Sequence, residues 1–87
     1  MNKNDKLYEV LVSHEDEGQL GLCTTRDRAK AIKAYNLICQ LMEQKLLTIE
    51  GSIDNEPYTI LELEVSDLNA EEDAVPELLM KKVFEDA

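Results

Sequence analysis

Two spacings of apolar residues divide the chain. In KLYEVLVS (Lys6–Ser13), Tyr8, Val10 and Val12 fall on one side and Leu7 and Leu11 on the other. A period of two is the signature of a strand. The acidic stretch HEDEG follows, with Gly18 able to take the positive φ that a tight turn needs. QLGLCT (Gln19–Thr24) then returns as a second strand, with Leu20 and Leu22 on one face, which predicts a β-hairpin.

The period then changes. Ala31, Ile32, Tyr35, Ile38, Cys39 and Met42 recur at steps of three and four, which predicts one long helix from about Thr25 to Lys45. Thr24 and Asp27 stand at T-x-x-D spacing, a capping box in which Thr24 would be the N-cap. Ala34, Leu37 and Leu41 widen the apolar stripe beyond what one sheet face requires, leaving width for a C-terminal helix or a second copy of the chain.

Period two returns later. Leu46–Ser52 reads as a short strand and Asp54–Pro57 as a turn. YTILELEV (Tyr58–Val65) is the clearest strand: Thr59, Leu61, Leu63 and Val65 point one way, and Tyr58, Ile60, Glu62 and Glu64 the other. Ser66–Asp73 is a polar connector. Asp73 can cap a last helix, with Pro76 in its first turn, Val75, Leu78, Leu79 and Val83 as its stripe, and Lys81 and Lys82 near its end, where cations suit the helix dipole. The order ββα-(β)β-α predicts an α+β fold: a small antiparallel sheet, one long helix on one face and a short C-terminal helix. Residues 1–87 make one domain with loose termini, able to bury about 60–65% of its unfolded surface.

Charge changes this picture. The formal net charge is −10, and the ten carboxylates between Glu50 and Glu77 have no lysine or arginine among them. Residues 1–45 carry seven acids and seven bases and are neutral as a block. Arg26, Arg28, Lys30 and Lys33 crowd the start of the long helix, the wrong end for cations. Acids of the later segment folding over them would offset the cost; otherwise the protein is electrically two-faced.

The acidic segment has two readings. One is a solvated surface that keeps the chain soluble. The other is a surface complementary to a basic one. Alternate glutamates on a strand stand about 6.5–7 Å apart, and DNA carries one phosphate per about 3.4 Å of each strand, so such acids could occupy a site evolved for phosphates. The candidate partner-binding set is Glu50, Asp54, Glu56, Glu62, Glu64, Asp67, Glu71, Glu72 and Asp73.

Other chemistry is poorly supplied. An acidic chain with four aromatic residues and no Trp argues against direct nucleic-acid binding. His14 is the one histidine, and a Cys23–His14 nucleophile would still lack an orienting group and an oxyanion site. Asp67–Glu71 imitates the opening of a calcium loop, but Glu72 stands where Gly is needed and Leu78 where Glu is needed. No catalytic, cofactor or metal residues are therefore assigned. Two cysteines are few for a disulfide scaffold, so Cys23 and Cys39 read as reduced thiols, with a bridge between them the lesser alternative. With no apolar run long enough to span a bilayer and no leader-like h-region, the expected compartment is the cytoplasm.

The run KLYEVLVS, its acidic turn, the helix start TTRDRAKAI and the strand YTILELEV resemble a pattern in small acidic ββα-type proteins of phages and bacteria. In size, charge and want of catalytic residues the chain is similar to phage-encoded inhibitors of host defence, including anti-CRISPR proteins and DNA mimics. The resemblance implies a non-enzymatic inhibitor that binds a basic surface of a larger protein, nucleic-acid-binding surfaces included, through its acidic half. The alternative is a small structural or homodimerising module whose acidic face serves only solubility.

Overall fold

The computed structural model describes residues 5–14, 17–51, 56–68 and 75–84. Strands β1 (Lys6–His14) and β2 (Glu17–Thr25) form the hairpin, helix α1 (Arg28–Glu43) follows, and β3 (Ile60–Asp67) and β4 (Glu77–Val83) complete the described elements. All pair antiparallel in one sheet of order β2-β1-β3-β4. The chain leaves β2, crosses β1 by way of α1 and returns as β3, so the helix lies over β1, β2 and β3.

This crossing decides where the core sits. Val10 pairs with Leu63 and Val12 with Leu61, so all four side chains rise from the same face. They meet Ala31 and Tyr35 of α1, and these six are buried. Ile32, Ile38, Cys39 and Met42 pack around them half-buried, as the helical spacing predicts. Burying one Leu or Val side chain is worth about 1.5–3 kcal/mol, so this cluster carries much of a small domain's stability. Leu37 is left largely exposed on the far side of the helix.

The helix starts three residues later than its T-x-x-D spacing suggests. Asp27 is the N-cap: its Oδ1 accepts from the amides of Ala29 at 2.9 Å and Lys30 at 3.4 Å. The Thr25 hydroxyl accepts from the Asp27 amide at 3.1 Å, while Thr24 stays in β2 opposite Glu9. The hairpin ladder runs to Thr25 and holds Thr24 extended, so the next residue able to cap is Asp27. At the other end the Leu46 amide donates to Leu41 O at 2.9 Å and the Lys45 amide to Met42 O at 3.1 Å. That is a Schellman closure, with Lys45 at φ 58° in the position that favours glycine.

Two further expectations are corrected. The segment with Leu78, Leu79 and Val83 is no helix; it is the edge strand β4, which begins just after Pro76. A helix from 74 to 83 would have fewer than three turns, too few to stand without extensive packing. As a strand, the same residues satisfy the backbone groups along β3. A register shift opposite Leu63 and Glu64 lets Leu78, Leu79 and Met80 run consecutively, which hides the alternation from the sequence. Among the described residues the expected strand at Leu46–Ser52 reduces to one bridge, Glu50 with Pro57, because the Schellman turn occupies its first residues.

Candidate interaction face

The face of the sheet away from α1 is built from the alternate positions of the same strands. β1 presents Leu7, Glu9, Leu11 and Ser13, and β3 presents Ile60, Glu62, Glu64 and Ser66. β4 adds Leu78 opposite Glu64, Lys81 opposite Glu62 and Val83 opposite Ile60. Among the described residues no helix or strand packs on this face. Leu11 is nevertheless 1% exposed and stands apart from the cluster under the helix.

Three carboxylates meet here. Glu9 faces Glu64 directly across the central ladder, and Glu62 is the next residue on that face of β3. Like charges directly opposite one another destabilise a sheet. None of the three forms an ion pair within 4.0 Å among the described residues. The Ser13 hydroxyl donates to Glu62 Oε1 at 3.2 Å. Glu9 folds toward β2, where Oε2 lies 2.6 Å from the point a Cβ on Gly21 would occupy. Gly21 thus leaves the notch that this carboxylate fills. The Glu64 carboxyl titrates above the ordinary glutamate value, first because it is partly buried and then because Glu62 and Glu9 are negative beside it.

The other members of the candidate set lie elsewhere. Asp67 ends β3, opposite Lys6, whose Nζ is 3.8 Å away. Glu56 lies 3.1 Å from His14 Nε2, at the far end of β1. Glu50 is exposed, in the bridge with Pro57. Asp54, Glu71, Glu72 and Asp73 lie outside the described residues. The continuous acidic run is thus divided: Glu62 and Glu64 share a surface, while Glu50, Glu56 and Asp67 do not join it. Glu9 was missed because the block containing it is neutral. The signal available was pairing: once the two strands are set antiparallel, Glu9 falls beside Glu64.

The bases at the helix start are all exposed, and Arg26, Arg28, Lys30 and Lys33 make no ion pair with an acid of the later segment among the described residues. Cations therefore collect at one end of the helix layer and carboxylates on the opposite side of the sheet.

Catalytic groupings do not assemble. Cys23 lies in the row of Val10 and His14 four residues further along β1, about 13 Å away at strand rise. Both cysteines are free thiols. Burial raises the Cys39 thiol, and the Glu43 carboxylate, 3.6 Å from its sulfur, adds to the shift. Burial likewise raises the Tyr35 phenol, with Cys39, Glu43 and Glu62 pushing the same way. Among the described residues no three His, Cys, Asp or Glu side chains converge on a metal position, and no helix is long and apolar enough to cross a membrane. A groove of about 370 Å³ between the end of α1 and β4 is lined by Met42, Glu43, Lys45, Lys82, Val83 and Phe84, none of them a nucleophile paired with a base. Comparison with known proteins gives no matching family model, curated sequence or solved structure.

Proposed function

We propose that this chain is a non-enzymatic interaction protein of the cytoplasm, which binds a basic surface of a larger protein through the open face of its sheet. The observation that carries this reading is the triplet Glu9, Glu62 and Glu64: three carboxylates set together on the two central strands, with the Glu64 carboxyl held above its ordinary value by burial and by the other two. Like charges set side by side cost the fold stability, and a cationic partner would relieve that cost. Along β3 the two glutamates stand about 6.5–7 Å apart and across the ladder about 5 Å, spacings that suit a partner evolved to hold phosphates. The reading extends to an inhibitor that occupies a nucleic-acid site, as anti-defence proteins and DNA mimics do.

Capture of partners from a bacterial lysate tests it. Glu62→Lys with Glu64→Lys should abolish capture, while Glu15→Lys with Glu17→Lys, an equal change in net charge near the β1–β2 turn, should retain it. Capture should weaken as salt rises, since interactions between exposed charges are screened beyond about 8 Å at physiological ionic strength and over shorter distances at higher salt. DNA should compete for the captured protein if the carboxylates imitate phosphates. Equal behaviour of both charge-reversed pairs would leave the acids as a solvated surface only.

A further inference from the structure

The outer edge of β4 carries a pattern that is complementary to itself. Lys81 and Lys82 are the only cations in residues 46–87, and both stand on this strand. Glu77, at its start, pairs with Val65 and so belongs to the face covered by the helix; Lys82, paired with Leu61, belongs to the same face. Leu78 and Lys81, paired with Glu64 and Glu62, belong to the open face. An antiparallel copy of β4, related by a two-fold axis between Leu79 and Met80, would set Glu77 opposite Lys82 twice on one face and Leu78 opposite Lys81 twice on the other. Glu77, Leu78, Lys81 and Lys82 then each meet a side chain from their own side of the sheet, which a register one residue away does not allow.

The backbone is ready for this pairing. The Phe84 amide donates inward to Thr59 O at 2.8 Å. Alternation then turns the N–H and C=O groups of Lys81 away from β3, toward Leu78 of the second copy, while the outward Val83 N–H meets the carbonyl of Pro76, which has no N–H to return. β4 is the last strand of the sheet, so these groups have no neighbouring strand among the described residues. Leu78 and Val83 are 47% and 52% exposed along the same edge. An edge with free backbone groups and apolar side chains is a template for strand addition.

We infer that β4 is a homodimerisation edge: two copies join through antiparallel β4 strands into one eight-stranded sheet, with both helices on one side and both acidic faces on the other. The occupant is a second copy because the edge supplies both charges of each pair, Glu77 from one chain and, from the other, Lys82, which would be shared with Glu43 of its own chain 3.7 Å away. The inference does not rest on the partner proposed above, since it uses the outer edge of β4 and none of Glu9, Glu62 and Glu64. It gives that proposal a doubled acidic surface.

Charge reversal in two separate chains tests the register. Wild type should sediment at twice the 9.9 kDa chain mass at concentrations between about 10 µM and 1 mM. Glu77→Lys alone places lysine opposite lysine, and Lys82→Glu alone places glutamate opposite glutamate, so each should sediment as a monomer. Mixing the two variants should restore the dimer, because all cross-strand pairs are then opposite in sign. Circular dichroism of each variant controls for folding. Monomeric wild type at 1 mM would overturn the inference, as would single variants that still dimerise, or a mixture of folded variants that stays monomeric.

Discussion

The two faces of the β1–β3 ladder are made by neighbouring residues and do opposite things. On one, Val10, Val12, Leu61 and Leu63 lie buried beneath Ala31 and Tyr35. On the other, Glu9, Glu62 and Glu64 bring negative charges together. The first arrangement lowers the energy of the folded chain, and the second raises it. A chain that keeps the second must tolerate its cost, and the depth of the first is what allows it. Stability and charge display are thus separated by the two-residue period of a single pair of strands.

Removing apolar bulk from the covered face should give the largest effect. Leu63→Ala should cost about 2–5 kcal/mol in chemical denaturation, as transfer and cavity terms add. A loss below about 1 kcal/mol would show that the helix does not seal that face. Detaching the helix start is the next test: Asp27→Ala should cost about 0.5–2 kcal/mol, and Thr24→Ala less than about 0.5 kcal/mol. The reverse ranking would move the cap back to Thr24. At the helix end, Lys45→Gly should stabilise the fold by about 1 kcal/mol or less, because glycine accepts the left-handed conformation that lysine occupies at a cost.

A small effect belongs to the open face and, like Lys45→Gly, it is stabilising. Glu64→Gln should stabilise the protein at neutral pH by about 0.2–1 kcal/mol, the scale of one cross-strand pair. The folded state holds the Glu64 proton more tightly than the unfolded chain does. Ionising Glu64 therefore costs stability, and that cost grows as pH rises from the ordinary glutamate value through the raised one. The gain from Glu64→Gln should be full at neutral pH and vanish below about pH 4. Denaturation midpoints for both proteins between pH 3.5 and 7 would check both sign and window.

Much of the covered face was legible in the sequence, because apolar residues repeat at the helical period in α1 and at period two in β1 and β3. Ala31, Tyr35, Leu61 and Leu63 are readable from spacing alone. β4 was not, since its register shift sets three apolar residues in a row and Pro76 suits a first helical turn equally well. The cap was misplaced because Thr24 and Asp27 fit a local rule, while the hairpin pairing that keeps Thr24 extended is not local. Half of the open face was legible as Glu62 and Glu64. Glu9 was not, because segment charge counts what is near in sequence, and strand pairing decides what is near in space. Glu50, Glu56 and Asp67 were grouped with them for the same reason.

The most direct test of the acidic face is an NMR titration of the Glu64 carboxyl carbon, alone and with an oligolysine peptide added. The account predicts a midpoint above the ordinary glutamate value, a return toward that value in Glu62→Gln and in Glu9→Gln, and a downward shift when the peptide binds. A midpoint at the ordinary value, unmoved by either substitution or by the peptide, would contradict it.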